Sequence, residues 1–153
     1  MQTARPGQYL SFTLGELSYA MPISSVREIN RVVGITPIPE TPSYIAGVMN
    51  LRGRVIPILD LRVRFGIKAS PYTRQSCIIV VDSDRGPAGL IVDSIHGVAM
   101  LAAGQIEPRP QIGNEEEMGF VTGMGKLENR VLVLVDVESV LTNTSVETLA
   151  KAA

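Results

Sequence analysis

The chain is poor in the residue types on which most enzyme active sites depend. Its 153 residues include one histidine, one cysteine and no tryptophan, and only 5% of them are aromatic. A Ser–His or Cys–His pair would have to use His96, and the usual soft metal sites need several converging His and Cys ligands. We therefore expect a protein that is not an enzyme, with no catalytic residue, no metal site and no cofactor.

The residues that resemble parts of reactive sites are better explained by structure. Cys77 begins CIIVV, a run typical of a buried strand, where a lone thiol behaves as a small hydrophobe. His96 lies in SIHGV on another predicted strand, and we interpret it as structural. Gly123-Met124-Gly125 lacks the further glycine or lysine of a phosphate loop. Glu115-Glu116-Glu117 lacks the spaced ligands of a calcium loop and predicts a solvated loop.

Long apolar runs are also missing. The longest, such as Val131 to Val135, are far shorter than the roughly 20 residues that a membrane-spanning helix needs. The first residues, MQTARPGQY, lack the apolar stretch of a signal peptide. We expect a cytoplasmic protein without direct membrane insertion.

The charges are divided unequally between the two halves of the chain. Residues 1–70 hold eight Lys or Arg and four Asp or Glu, whereas residues 71–153 hold six and eleven, which gives net charges of +4 and −5. Such polarity favours oriented contacts with charged partners or with copies of a relative. Six arginines make the first half basic: Arg27, Arg31, Arg52, Arg54, Arg62 and Arg64. Because few aromatic residues accompany them, we expect no nucleic-acid binding, and a small-barrel nucleic-acid-binding module stands as the alternative from another class.

What the chain does have is aliphatic residues in short runs, with turn residues between them. Apolar residues make up 45%, and there are 14 glycines and 10 prolines. Tyr9 to Leu14 is followed by Gly15-Glu16 and LSYAMPI, and Cys77 to Asp82 is followed by a glycine-containing turn and AGLIV. Both patterns predict β-hairpins.

Two parts of the sequence repeat. GVMNLRGRVIPILDLRVRF, Gly47 to Phe65, lies without a gap over GMGKLENRVLVLVDVESVL, Gly123 to Leu141, at an offset of 76 residues. Tyr19 to Ile29 also lies without a gap over Ala88 to Val98, at an offset of 69 residues. We call the first copies the first unit and the second copies the second unit. A repeat of this length predicts two similar packed subdomains, and short strands with few helices favour two small β-barrels.

An aspartate ends the repeated hairpin in each unit. We predict that Asp60 and Asp136 cap short helical turns, which run to Phe65 and to Leu141. Glycine permits the tight turns that these hairpins need. We assign turn or cap roles to four residues: Gly53, Asp60, Gly123 and Asp136.

The stretch GVMNLRGRVIPILDLRVRFG resembles the signature of the CheW family of chemotaxis coupling proteins. The opening YLSFTLGELSYAMPISSVREI, the later GLIVDSI and the closing GMGKLENRVLVLVDVESVL fit the same family in the same order. The resemblance covers about Gln8 to Leu141. We expect one CheW-like domain over residues 8–145, made of barrel units at roughly 15–70, with a C-terminal contribution, and 76–141, followed by a tail at 146–153.

The resemblance implies a mainly β fold with two five-stranded SH3-like barrels packed on a shared hydrophobic core, with short helices. It also implies a non-catalytic adaptor that couples methyl-accepting chemoreceptors to the histidine kinase CheA in signalling arrays. The expected partners are the cytoplasmic tip of chemoreceptors and the regulatory domain of CheA, and contacts between copies in a ring are a further expectation. Such a protein is recruited from the cytoplasm to membrane-associated receptor arrays.

The receptor-facing residues follow from the same resemblance: Arg52, Gly47, Val26, Glu28 and Asn50. The turn from Asn50 to Gly53 presents the guanidinium of Arg52, which suits carboxylates or exposed backbone carbonyls. The second unit has Glu128 at the matching place, which predicts that the two turns have different roles. The kinase surface is expected at exposed aliphatic side chains at the barrel ends.

Two related readings stay open. A CheW-like adaptor can serve a pilus, gliding or other chemosensory pathway. A larger CheV-like protein adds a receiver domain, and none fits after Leu141.

Overall fold

Short strands dominate the part of the chain that the structure describes. The structure is a computed structural model, and it describes residues 4–68, 70–109 and 119–141. The strands are β1 (Gly7–Leu14), β2 (Leu17–Pro22), β3 (Val26–Arg31), β4 (Ile45–Leu51), β5 (Arg54–Asp60), β6 (Cys77–Ser83), β7 (Gly86–Val92), β8 (Ser94–Leu101), β9 (Ile106–Glu107), β10 (Val121–Leu127) and β11 (Arg130–Val135). The predicted loop at Glu115-Glu116-Glu117 and the predicted tail at 146–153 lie outside the described residues.

The helices are short, as predicted. They are α1 (Leu61–Arg64), α2 (Val137–Leu141) and two 3₁₀ turns at Ile23–Ser25 and Ala103–Gln105. The strands form a six-stranded sheet in the order β8-β1-β2-β11-β10-β9 and a five-stranded sheet in the order β3-β6-β7-β5-β4. We call them the six-stranded and the five-stranded sheet. The mainly β fold is confirmed.

Both predicted hairpins are confirmed. β1 pairs with β2 from Tyr9–Pro22 to Leu14–Leu17, and β6 pairs with β7 from Cys77–Val92 to Ser83–Gly86. Gly15, in the first turn, has a left-handed φ of 62°, which glycine adopts without the steric cost of a side chain.

The repeated hairpins have the same strand register. β4 pairs with β5 through Gly47 and Ile58, and β10 pairs with β11 through Gly123 and Leu134, at the same offset of 76. Each ladder shifts its register just before that glycine, and β4 and β10 alternate between buried and partly buried residues in the same order. The sequence repeat is therefore a repeat of structure.

Each sheet combines strands from the N-terminal and the C-terminal parts of the chain. The hairpin β1–β2 pairs with β8 and β11, which come from the C-terminal half of the chain. The hairpin β6–β7 pairs with β3 and β5, which come from the N-terminal half. The two hairpins carry similar apolar alternation, so the pattern alone does not specify which copy joins which sheet.

The largest core cluster lies between the two sheets. It contains Leu10, Phe12 and Val135 from the six-stranded sheet together with Ile79 and Leu90 from the five-stranded sheet. Each sheet also has a smaller apolar cluster of its own. The core is mostly aliphatic, as expected, and shared between the sheets.

The few aromatic residues are concentrated in this shared core. The ring centroids of Phe12 and Tyr19 are 6.0 Å apart, those of Tyr19 and Phe65 5.4 Å, and those of Phe65 and Phe120 4.1 Å. These contacts run from β1 to the helical turn after β5 and on to the residue before β10, so they join distant parts of the chain.

Candidate recognition site

The turn between β4 and β5 carries Arg52 in a strained backbone conformation. Arg52 and Gly53 both have left-handed φ values, 51° and 86°. Two such residues in succession form the mirror-image turn that suits a tight hairpin. The backbone N–H of Gly53 donates to Oδ1 of Asn50 at 2.8 Å, which closes the turn. A left-handed conformation costs a non-glycine residue about 1–2 kcal/mol. Because folding does not favour arginine at this position, we take its presence as a hypothesis of function.

The guanidinium of Arg52 is held in place by β3. Its Nη1 donates to Oε2 of Glu28 at 2.6 Å, and the amide of Asn30 donates to the other oxygen of Glu28 at 2.9 Å. The Arg52 side chain is still 71% exposed, whereas that of Glu28 is 20% exposed. The hydrogen bonds from Arg52 and then from Asn30 lower the pKa of Glu28. The cluster therefore presents an oriented cation to solvent.

The structure brings three of the five predicted receptor-facing residues into this cluster, namely Glu28, Asn50 and Arg52. Val26 begins the same strand as Glu28 but is half-buried and packs against the shared core. Gly47 is buried, and a Cβ there would overlap the carbonyl oxygen of Thr36. Packing thus explains Gly47 by itself, and the receptor roles of Val26 and Gly47 stay predictions.

A shallow groove adjoins the cluster. Its volume is about 540 Å³, and it is lined by Asn30 and Val33 on one side and by Met49, Asn50 and Leu51 on the other. Val33 is 65% exposed. Sequence reasoning did not identify Asn30, Met49 or Leu51, because only the pairing of strands places them beside Arg52. We call the cluster and this groove together the Arg52 surface.

The equivalent turn of the second unit has different chemistry. Glu128 and Asn129 take the places of Arg52 and Gly53, and both are exposed. The nearby ion pair is between Lys126 and Glu107, at 2.9 Å, with both side chains about half exposed. The second turn therefore presents a carboxylate where the first presents a guanidinium.

A second charged cluster, which sequence reasoning missed, is formed by Asp60 and Arg62 at the start of α1 and is buried. The Arg62 side chain is only 3% exposed. Its guanidinium makes two parallel hydrogen bonds with the carboxylate of Asp60, at 3.0 and 2.9 Å. Nη1 also donates to the carbonyl of Ser70 at 2.7 Å and to Oδ1 of Asp93 at 3.1 Å. The hydrogen bonds to Asp60 raise the pKa of Arg62. Arg62 is thus a structural residue, not part of a basic surface.

The predicted helix caps sit at the starts of the two helical turns. Oδ1 of Asp60 accepts the backbone N–H of Arg62 at 3.0 Å. The carbonyl of Asp136 accepts the N–H of Val140 at 3.1 Å, and its carboxylate accepts the Ser139 hydroxyl at 2.8 Å. Glu138 occupies the place of Arg62 and accepts the backbone N–H of Asp84 at 2.9 Å. The aspartates share a position, but only the first binds a buried guanidinium.

The residues with reactive side chains do not come together. His96 is exposed on β8. The Cys77 thiol donates to the carbonyl of Gln75 at 3.1 Å, and burial raises its pKa, which disfavours the thiolate. Within residues 4–68, 70–109 and 119–141, no three His, Cys, Asp or Glu side chains form a metal-binding group. In the same ranges, no helix has the length and apolar content to cross a membrane.

Comparison with known proteins agrees with this geometry. The profile of the CheW-like domain family matches residues 8–145. The chemotaxis protein CheW of Klebsiella aerogenes is 38% identical over 136 residues, which are 89% of this chain and 82% of that protein. Protein FrzA of Myxococcus xanthus is 35% identical over 82% of this chain and 81% of its own length.

A solved structure has the same fold. The scaffolding protein TtCheW from Thermoanaerobacter tengcongensis matches with a TM-score of 0.82 and 36% identity, over 90% of this chain and 94% of that one. The match agrees with the SH3-like architecture expected of the two sheets. Because the family profile, the relatives and this solved structure all agree, the chain belongs to the CheW family of chemotaxis adaptor proteins.

Proposed function

We propose that this protein is a non-catalytic adaptor that couples methyl-accepting chemoreceptors to the histidine kinase CheA in signalling arrays. The observation that carries the proposal is the exposed guanidinium of Arg52, fixed by Glu28 on a strained turn beside an apolar groove. In this function the protein works in the cytoplasm and is recruited to membrane-associated receptor arrays. It needs no cofactor, because it holds macromolecules together rather than making or breaking bonds.

The Arg52 surface is the proposed receptor-binding surface. A guanidinium that is already oriented loses little side-chain freedom on binding, and its free donors suit carboxylates or exposed carbonyls on a helical tip. The groove lined by Val33, Met49 and Leu51 offers apolar contact beside that charge. A helix that presents one polar and one aliphatic side chain on the same face fits this arrangement. In this proposal Val26 and Gly47 support the surface from within.

Exposed aliphatic residues at equivalent places in both units are the proposed surfaces for the regulatory domain of CheA and for other copies in a ring. Ile29 and Val98 are equivalent and are 44% and 57% exposed. Val55 and Val131 are equivalent and are 55% and 51% exposed. Two similar but non-identical apolar surfaces on one molecule suit a heterologous, ring-forming contact. The opposite net charges of the two halves of the chain support the same arrangement.

The arginines give little support to the nucleic-acid alternative. Arg62 is buried, Arg27 pairs with Asp82 at 3.2 Å, and Arg52 pairs with Glu28. Arg64 is half-buried, with its guanidinium carbon 5.6 Å from the ring centroid of Tyr44. These four arginines therefore do not form a continuous basic surface, on which nucleic-acid binding depends.

A double comparison tests the proposed function. We expect Arg52→Ala to weaken binding to a receptor-tip fragment by roughly 10- to 100-fold, as for an interface arginine, and to leave binding to the CheA regulatory domain unchanged. We expect Val98→Glu to weaken binding to the CheA regulatory domain, because it places a charge in an apolar contact, and to leave binding to the receptor-tip fragment unchanged. Isothermal titration calorimetry with both partners measures the four affinities.

The matched control is Glu128→Ala, which alters the equivalent turn of the second unit. It should leave the affinity for the receptor tip unchanged. An intact melting temperature with unaltered receptor affinity in Arg52→Ala would reject the receptor surface. A pull-down from native cell extract with wild type and Arg52→Ala in parallel separates a flagellar from a pilus or gliding pathway by the partners it recovers.

A further inference from the structure

The two halves of the chain are joined by strand pairing at four places. We call β1 to α1 (residues 7–64) the N-terminal half and β6 to α2 (residues 77–141) the C-terminal half. The pairs that join them are β1–β8, β2–β11, β3–β6 and β5–β7. Within each half the described pairs are two separate hairpins, together with an isolated bridge between Thr36 and Val48 in the N-terminal half and the short β9–β10 pair in the C-terminal half. Both sheets therefore need strands from both halves.

Neither half has a complete sheet of its own. In the N-terminal half the described ladder partner of β3 is β6, and the hairpin β1–β2 would expose two unpaired edges. Isolated hairpins are marginal in water, and unpaired edges attract other strands. The complementary half is thus the natural partner for every one of these edges.

The apolar core has the same dependence on both halves. Phe12 and Leu59 of the N-terminal half lie in one cluster with Ile79, Leu90 and Val140 of the C-terminal half, and all five are at most 1% exposed. Separation of the halves would expose these apolar side chains to water, which is unfavourable for each of them.

One connection links the halves outside the sheets. It runs from the end of α1 to Cys77, and its residues 70–75 are all exposed. Ile67, near its start, packs against the shared core. Further along, Arg62 contacts the carbonyl of Ser70 and the ring of Tyr72, whose centroid is 5.0 Å from the guanidinium carbon. Eleven residues between Phe65 and Cys77 reach about 35 Å when extended, which is enough to pass from one folded body to a second.

We propose that two copies of this chain can exchange halves. In the exchanged dimer the N-terminal half of one copy completes both sheets with the C-terminal half of the other, and the two connections cross between the bodies. Every contact within each body is the one already present in the monomer, which makes exchange a low-cost route to a dimer. The effective concentration of the linked halves favours the monomer in dilute protein, and the hold of Arg62 on the connection adds to that preference.

The test uses two full-length versions of the chain with different affinity tags. They are unfolded together in guanidinium chloride, refolded at a series of concentrations and separated by size exclusion with light scattering. We expect a dimer fraction that carries both tags, rises with the concentration at refolding and has the far-ultraviolet circular dichroism of the monomer. Mixing the folded proteins should give none. Refolded protein that is monomeric at every concentration would overturn the proposal.

A protease site inserted between Thr73 and Arg74 of the full chain distinguishes exchange from side-by-side association. Cleavage of an exchanged dimer should release monomer-sized bodies, each with one N-terminal and one C-terminal fragment from differently tagged copies. A dimer that stays intact after complete cleavage is associated side by side and would contradict exchange. As a matched pair, a Gly–Ser insertion at the same point should lower the dimer fraction, and deletion of residues 72–75 should raise it.

Discussion

The hairpin of the first unit and that of the second unit share their strand pairing but differ at their turns and in the chemistry of a few side chains. β4–β5 and β10–β11 share their register, their register shift and their order of buried residues, and each is followed by a short helix after an aspartate. They differ at the turn, where Arg52 corresponds to Glu128, and at the helix, where Arg62 corresponds to Glu138. The apolar alternation therefore suffices for the scaffold.

The two differences have separate meanings. At the turn, neither Arg52 nor Glu128 is needed for the hairpin, since both turns form, so the exposed cation is available for recognition. At the helix, Arg62 binds Asp60, Asp93 and the connection at once, whereas Glu138 accepts a backbone N–H from the β6–β7 turn. The same scaffold thus exposes a cation at one position and buries a cation for its own cohesion at the other.

The largest expected effect is at the buried arginine. We expect Arg62→Met to lower the free energy of unfolding by about 3–5 kcal/mol, because it leaves the carboxylate of Asp60 buried without its partner. Urea denaturation measures the change. Glu138→Met in the second unit should cost less, about 1–2 kcal/mol, because Glu138 is only partly buried and no buried charge loses its partner. Equal losses of unfolding free energy in the two variants would show that Arg62 and Glu138 contribute equally to stability and would contradict the prediction.

The glycines of the two hairpins give a smaller contrast. Gly47 has a φ of 147°, and an added Cβ would overlap the carbonyl of Thr36, whereas at Gly123 the nearest atom would be the carbonyl oxygen of Glu107, at 2.8 Å. We expect Gly47→Ala to destabilise by about 2–3 kcal/mol and Gly123→Ala by about 1 kcal/mol. Thermal melting of both variants tests the order. A more damaging change at Gly123 would contradict it.

The smallest expected effect concerns the ion pair at the turn. Because Arg52 and Asn30 lower the pKa of Glu28, the stabilisation from its ionised form is fully present above the usual carboxyl pKa of about 4.3 and is lost as the pH falls through the lower folded value. Nuclear magnetic resonance titration of the Glu28 carboxyl should show its pKa rising towards the usual range in Arg52→Ala. The same titration in Glu128→Ala should match wild type. An unchanged value in Arg52→Ala would show that the pair does not persist in solution.

Much of the fold could be predicted because its signals are local. The hairpins around Gly15 and after Cys77, the repeated hairpins and the helical turns after Asp60 and Asp136 all appear near the predicted residues. Apolar alternation and turn residues act over a few positions, so a pattern of that length indicates them well. The turn that presents Arg52 was predictable for the same reason, whereas the receptor role of Arg52 was inferred from the family resemblance and stays a prediction.

The missed features depend on distant partners. Arg62 lies in a run with other arginines, and its burial depends on three acceptors that the fold brings around one guanidinium: the carboxylate of Asp60, the carbonyl of Ser70 and the carboxylate of Asp93, 31 residues further along the chain. The packing role of Gly47 could not be predicted either, because it depends on the carbonyl oxygen of Thr36, which occupies the space where a Cβ would lie. The groove beside Arg52 could not be predicted because its two walls come from different strands.

The sequence by itself determined the strands, their turns, the internal repeat and the family to which the chain belongs, since each of these is written in short-range pattern or in ordered motifs. Only the tertiary structure decided which hairpin completes which sheet, which arginine is buried and which is presented to solvent. The physical reason is that similar hairpins are equally suited to either sheet, and that the cost of burying a charge depends on the carboxylates that the rest of the fold brings to it.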